Sequence, residues 1–182
     1  MIMSIAIIII LALGIYGGAR RGLVLQLVMT IGYAVSYVVA AQYYKTLGSH
    51  LELLIPYPAA SEGSHFQFYN QAIGFSLDHA FYNGIAFLLI LFIGWLITRF
   101  MGGLLNSLTF IPVLKQVNTI GGALLAFLVT YVGIFLVLTV LTMLPIDSIQ
   151  SAFGHSRVAQ MIVENTPVFS NQIYNWWIET VI

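Results

Sequence analysis

The side chains in this sequence that are best spaced for chemistry are polar residues along one apolar segment. Gln26, Thr30, Tyr33, Tyr37 and Tyr44 follow one another at intervals of three, four or seven residues, so on a helix they would form one stripe. Such a stripe could line a polar path through a pore or substrate cavity. It could equally bond to a neighbouring helix across a packing face. The sequence leaves both interpretations open.

Small residues accompany the stripe and favour close helix packing. Gly32, Ser36 and Ala40 stand at i, i+4 and i+8, and a later segment repeats this spacing with Gly94, Thr98 and Gly102. Ridges of small side chains let two helix backbones approach each other, and hydroxyls can then bond across the contact. These ridges therefore predict helix-packing faces.

Residue types used by enzymes are present, but their spacing does not suit catalysis. The four histidines form no H-E-x-x-H pattern, and Gly154-His155-Ser156 lacks the G-x-S-x-G turn that positions a nucleophile. The chain has no cysteine, which excludes thiolate catalysis and cysteine metal ligands. We therefore predict a protein that is not an enzyme, with no catalytic residue, no metal site and no cofactor.

Asp78 and His79 come nearest to a titratable site. They stand at the edge of an apolar segment and fit a solvated boundary pair, with a proton or metal site as the second interpretation. The middle of every apolar segment lacks an ionisable residue, whereas proton relays and ion-coupled carriers need one at depth. This pattern argues against an active transporter.

Helices in a membrane must position these side chains. Hydrophobic residues make up 60% of the chain and charged residues 7%, against about 25% charged residues in soluble domains. The zero net charge argues against a nucleic-acid partner. Residues 1–44 contain only one charged pair, Arg20-Arg21, and as a single helix they would span about 66 Å, twice the hydrocarbon core. A turn at 17–22 keeps the pair in water, so the chain opens with a transmembrane hairpin.

Four segments are long and apolar enough to span a membrane. They run from Ile2 to about Tyr16, from Leu23 to about Tyr43, from Phe81 to about Phe100 and from Thr119 to Leu144. We therefore predict an all-α integral membrane protein. Its four transmembrane helices lie within residues 1–144, and an outer amphipathic tail covers 145–182.

The charges predict how the bundle is oriented. The short loops 17–22 and 101–118, with flanking Arg99, hold Arg20, Arg21, Arg99 and Lys115 and no acidic residue. Because short positive loops stay on the cytoplasmic side, both termini should lie outside. The long loop 45–80 would then be outer and should contain a short helix against the bundle.

Two segments outside the spans look amphipathic. The tail has a helix-like stretch from Ser156 to Glu164 that Thr166-Pro167 interrupts, and its tryptophans, Trp176 and Trp177, favour a lipid headgroup layer. The inner loop 101–118 is apolar with interspersed Asn, Gln and Lys, which fits an interfacial helix better than a re-entrant turn.

Three glycines at the first loop, Gly14, Gly18 and Gly22, match the small-xxx-small pattern. The arginines between them disfavour a continuous helix there. We expect these glycines to shape a turn or to admit another backbone segment, with helix dimerisation as an alternative.

Three local motifs follow one another between residues 1 and 170. Gly17-Gly18 precedes Arg21-Gly22; Leu114, Asn118 and Gly121-Gly122 lead into the last span; Ser156-Arg157-Val158-Ala159 is followed by Asn165-Thr166-Pro167. In this order, with four spans, they resemble the bacterial colicin V production protein family. That resemblance implies a multi-pass protein of the bacterial cytoplasmic membrane, associated with production or export of a peptide toxin and with envelope maintenance.

The resemblance implies a role through a membrane-protein partner or a homo-oligomer in the lipid bilayer, and it supplies no catalytic residue. The rival interpretation is a small oligomeric channel or facilitator for a small solute, built from the polar stripe. Arg20, Arg21 and Gly22 should matter for insertion and for a cytoplasmic contact. The predicted functional or packing residues are Arg20, Arg21, Gly22, Gln26, Gly32, Ser36, Tyr37, Asn118, Gly121, Gly122 and Pro167.

Overall fold

The computed structural model describes residues 2–58, 60, 64–74, 76–105 and 115–179. Helices dominate these residues, and no strand occurs among them. The helices are α1 (Ile2–Arg21), α2 (Leu23–Leu51), α3 (Gln71–Gly74), α4 (Leu77–Leu105), α5 (Lys115–Thr142), α6 (Asp147–Gly154), α7 (Arg157–Asn165) and α8 (Phe169–Tyr174). Four of them, α1, α2, α4 and α5, are long and apolar enough to cross a membrane. The predicted all-α membrane fold is confirmed.

The first turn is much tighter than the loop expected at 17–22. Helix α1 continues through Gly17, Gly18 and both arginines, and α2 begins at Leu23. Gly22 alone breaks the path, with a φ of +82°. Backbone hydrogen bonds still join Gly22 to both helices. Its N–H donates to Gly18 O at 3.0 Å, and its carbonyl accepts from Gln26 N at 3.1 Å. Cations in the last turn of α1 also suit the negative end of the helix dipole.

The other long helices also extend past the apolar segments. Helix α2 runs eight residues beyond Tyr43 to Leu51, and α4 starts at Leu77 and ends at Leu105. A helix satisfies its own backbone hydrogen bonds, so it need not end where the hydrocarbon ends. In the inner loop, 101–105 and 115–118 are helical, while 106–114, where the interfacial helix was expected, lie outside the described residues.

Shorter helices occupy the loop and the tail. The loop 45–80 contains α3, and the tail stretch predicted from Ser156 to Glu164 is α7. Ser156 caps α7, accepting a hydrogen bond from Ala159 N at 3.2 Å. A π-helical turn, Asn175–Glu179, follows α8.

The chain divides into two compact units. The first unit comprises Met1–Ile7, Tyr43–Leu88 and Ile134–Ile182; the second comprises Ile8–Gln42 and Leu89–Gly133.

The core of the first unit is aromatic, and it corrects one expectation. Trp177 is fully buried rather than placed at a headgroup layer, with its ring 5.4 Å from that of Phe87. Gly84 makes room for it, since an added Cβ there would lie 3.2 Å from the indole. The tail therefore contributes to the core of this unit. An apolar ring is stabilised by burial in a protein core as well as by lipid.

Candidate functional site

The α1–α2 turn in the second unit brings together most of the residues that the sequence singled out. Its centre is Gly22, whose positive φ suits glycine because other residues pay a steric cost there. Asn118, at the start of α5, accepts a hydrogen bond from Leu23 N through Oδ1 at 2.8 Å. Leu23 N–H is one of the first donors of α2, which have no partner within that helix. Asn118 thus caps α2 from 95 residues away in the chain.

Helices α1 and α5 touch backbone to backbone beside this turn. A Cβ added to Gly122 would lie 2.5 Å from Gly18 O and 2.7 Å from the Gly22 carbonyl carbon. One added to Gly18 would collide with Gly122 O and Ala126, and Gly14 faces Thr130 in the same way. The spacing Gly14-xxx-Gly18-xxx-Gly22 therefore serves a contact within one chain. This arrangement leaves no room for a second copy on the glycine face.

Gly121, next to Gly122, has a different neighbour. A Cβ added there would lie 2.8 Å from a methyl group of Leu23. The glycine pair thus makes space for the first residue of α2 as well as for the backbone of α1.

The two arginines of the turn diverge. Arg21 is partly buried and donates through Nη1 to Oε1 of Gln26 at 3.2 Å. Gln26 is only 1% exposed, so this bond satisfies an amide oxygen in an apolar surrounding. Arg20 is exposed and lies over the ring of Tyr16, 5.8 Å from its centroid.

The small-residue ridges lie against each other on α2 and α4. A Cβ added to Gly32 would be 2.6 Å from Thr98 Oγ1, and one added to Gly94 would be 2.5 Å from Ser36 Cβ. Ser36 donates to Gly32 O at 2.8 Å. Members of both ridges therefore lie at the contact between α2 and α4.

The polar stripe of α2 does not form one surface. Gln26 is buried, and Thr30 donates to the Gln26 carbonyl at 2.7 Å. Tyr33 and Tyr37 are partly exposed. In the first unit, Tyr44 is buried and donates to Trp176 O at 3.0 Å. Most polar atoms of the stripe are therefore used in internal hydrogen bonds, which supports packing over a pore lining.

A polar cluster in the first unit was missed by sequence reasoning. Gln150 donates through Nε2 to Thr142 O at 3.0 Å and to Leu144 O at 2.7 Å. Tyr57 donates to Met143 O at 2.7 Å, and the Tyr69 hydroxyl lies 3.0 Å from Thr142 Oγ1. Gln150 and Tyr57 thus bond carbonyls at the end of α5 and in the two residues that follow it, where helical partners are missing. Burial raises the pKa of Tyr57 and of Tyr69 to about 12.

The tail motifs have structural roles in the first unit. Ser156 is fully buried, and its hydroxyl lies 2.8 Å from that of Ser4. Pro167 is exposed between α7 and α8, after buried Thr166, whose N–H donates to Ser170 Oγ at 3.0 Å. Ser156 also stands immediately before α7, the position typical of an N-cap serine.

His79 pairs with Glu52 and not with Asp78, its neighbour in the sequence. Its Nδ1 lies 2.8 Å from Oε1 of Glu52, and both side chains are exposed. Among the residues that the structure describes, no three His, Asp or Glu side chains are grouped closely enough to hold a metal ion.

The chain is similar to a known protein family and to a bacterial transmembrane protein. The model of the family described as "Colicin V production protein" matches residues 3–167. The chain is also 35% identical over 178 residues to the "Uncharacterized transmembrane protein YshB" of Bacillus subtilis (strain 168). That alignment covers 96% of this chain and 97% of the relative. No solved structure matches the chain.

Proposed function

This chain belongs to the colicin V production protein family, and from that premise we propose that it is a non-enzymatic protein of the bacterial cytoplasmic membrane. It acts in the production or export of a peptide toxin, or in maintenance of the envelope, by binding a membrane-protein partner or a further copy of itself. Both termini lie outside, and the α1–α2 turn lies in the cytoplasm. The cations Arg20, Arg21, Arg99 and Lys115 support this orientation under the positive-inside rule.

The observation that carries the proposal is the exposure of α1. Only 11% of its apolar window is buried, against 28%, 33% and 39% for α2, α4 and α5. Gly14 and Gly18 use one side of α1 against α5. The other side presents Ile9, Leu13 and Tyr16, which are 52%, 65% and 62% exposed. An apolar helix face fixed in position by a tight neighbour suits a helix–helix contact with another membrane protein.

Cysteine crosslinking tests this face directly, because the natural chain has no cysteine. Leu13→Cys should form a crosslinked adduct in native membranes. A matched control is Leu124→Cys on α5, which is 60% exposed, close to the 65% of Leu13, and should stay monomeric. An adduct of twice the 20.1 kDa chain mass indicates a homo-oligomer. Any other mass, identified by mass spectrometry, indicates a partner.

A functional readout completes the test. Deleting the gene should lower release of peptide toxin from the host strain, or weaken its envelope, and the wild-type gene should restore both. Leu13→Trp, which enlarges the α1 face, should fail to restore them while still inserting normally. Equal crosslinking at Leu13 and Leu124, or full restoration by Leu13→Trp, would count against the proposed contact.

The basic turn gives a second test. Replacing Arg20 and Arg21 with alanine should reduce correct insertion and activity, because both cations favour retention of this end of the hairpin on the cytoplasmic side. Reporter tags on the termini measure orientation. Normal orientation together with normal activity in this double variant would show that the pair has no such role.

A further inference from the structure

Charge is distributed very unevenly between the two units. The second unit contains Arg20, Arg21, Arg99 and Lys115 and not a single Asp or Glu, whereas all six acidic residues belong to the first unit. No described residue forms an ion pair with any of these four cations. A cationic site with no internal counter-charge favours an anion supplied from outside.

Two of these cations, Arg21 and Arg99, lie on the same side of the α2–α4 pair as Tyr33. Gly32 on α2 contacts Thr98 on α4, so their sequence neighbours Tyr33 and Arg99 stand at the same level of the two helices. Gln26, which accepts a hydrogen bond from Arg21 at 3.2 Å, precedes Tyr33 by seven residues and therefore shares its face of α2. The Tyr33 hydroxyl has no hydrogen bond to any residue within the described ranges, although Tyr33 is partly buried.

Both guanidinium groups keep donors for a ligand. Arginine carries five N–H donors, and Arg21 uses one nitrogen on Gln26. Arg99 is exposed and rests over the Trp95 ring, 5.3 Å from its centroid, which steadies the side chain without using its N–H groups. Two arginines and a tyrosine hydroxyl supply the charge and the donors that a phosphate diester accepts.

We propose that Arg21, Tyr33 and Arg99 bind the phosphate group of an anionic phospholipid. The surroundings favour a lipid over a free anion or an acidic protein segment. Ile31 and Phe100 lie near this level on α2 and α4 in sequence and are 57% and 70% exposed, and Phe92, two helical turns from Arg99, is 55% exposed. Apolar side chains of this kind suit the acyl chains that accompany a lipid headgroup. The site also lies toward the ends of α1 and α4 that carry Arg20 and Arg99, the level at which headgroups occur.

Lipid binding to the whole protein in a neutral detergent tests this assignment. The thermal unfolding midpoint, followed by tryptophan fluorescence, is measured while phosphatidylglycerol, phosphatidylcholine or inorganic phosphate is added. Phosphatidylglycerol should raise the midpoint of the wild type, and the other two should have little effect. Arg99→Gln should weaken phosphatidylglycerol binding about tenfold or more, and Tyr33→Phe about fivefold, as expected for charged and neutral hydrogen bonds respectively.

Matched variants separate this site from general attraction of cations. Arg157→Gln removes an exposed arginine of the first unit and should leave phosphatidylglycerol binding unchanged. Tyr33→Phe keeps the ring and its packing, so it remains informative if Arg99→Gln folds poorly. Equal stabilisation by phosphatidylcholine, equal stabilisation by inorganic phosphate, or wild-type binding in Tyr33→Phe and Arg99→Gln would each overturn the proposal. It would also be overturned if Arg99→Gln released an acidic protein from native membranes while lipid binding stayed unchanged.

Discussion

The contact between Gly22 and Asn118 makes a quantitative prediction about energetic coupling. A Cβ at Gly22 would lie 2.7 Å from Asn118 Cγ, so Gly22→Ala must displace the amide that bonds Leu23 N. The left-handed backbone costs about 1–2 kcal/mol for alanine, and loss of the cap about 0.5–2 kcal/mol more. Asn118→Ala alone loses only the cap. In the Gly22→Ala background that cap is already gone, so the double variant should be no less stable than Gly22→Ala.

A double-mutant cycle in mixed micelles measures this coupling. The free energy of unfolding comes from titration with SDS, followed by tryptophan fluorescence. Gly133→Ala is the matched control, because that helical glycine has open space around its added Cβ. It should leave stability unchanged or raise it by up to about 1 kcal/mol. If the effects of Gly22→Ala and Asn118→Ala add to within about 0.5 kcal/mol, the cap and the clash are independent and the reasoning is refuted.

Three further predictions follow from packing and burial. Trp177→Ala should lower the free energy of unfolding by about 3–5 kcal/mol, because the ring is fully buried. Trp95→Ala removes a side chain that is 38% exposed and should cost less than half as much. Equal losses of stability in the SDS titration would contradict this prediction. Gly94→Ala should lower the free energy of unfolding by about 1–3 kcal/mol, because its added methyl group clashes with Ser36 on α2. Stability equal to that of Gly133→Ala would show that the α2–α4 contact accommodates the methyl group without cost. Burial raises the pKa of Tyr69 from 10.0 to about 12, so the neutral phenol stabilises the fold below pH 10 and that contribution is lost as pH rises from 10 to 12. The stability difference between the wild type and Tyr69→Phe should therefore shrink across that window, and a constant difference would be inconsistent with a buried phenol.

The fold class could be predicted because the length of an apolar segment is read from consecutive residues, without knowledge of distant contacts. Four apolar segments of sufficient length indicate four helices wherever the rest of the chain goes. Helix ends were less predictable. Gly17, Gly18 and the arginine pair resemble a loop when read one residue at a time, yet α1 continues through them to Arg21. Contact with Gly122 stabilises that last stretch, and a partner about 100 residues away leaves no local signal.

The residues of the candidate site also divide into those that local spacing could predict and those that depend on distant partners. Spacing alone identified the ridge of Gly32 and Ser36, because a helical period brings its members together on one face. Spacing could not say that Asn118 caps Leu23, since that bond joins positions 95 residues apart. Nor could it foresee that Trp177 is buried, because tryptophan suits both a membrane interface and an aromatic core.

The second unit buries the Gln26 side chain and holds the Arg21 cation beside it, and these two features depend on each other. Gln26 is only 1% exposed, so its amide oxygen needs a donor within the protein. Arg21 supplies that donor from the end of α1, which holds its charge beside the packed helices. Once fixed there, the guanidinium cannot move away to bulk water without leaving the Gln26 oxygen unsatisfied. A charge held in this way and lacking an acidic neighbour keeps its field at the helix ends. That fixed field is the physical basis for an anion-binding surface on an otherwise apolar bundle.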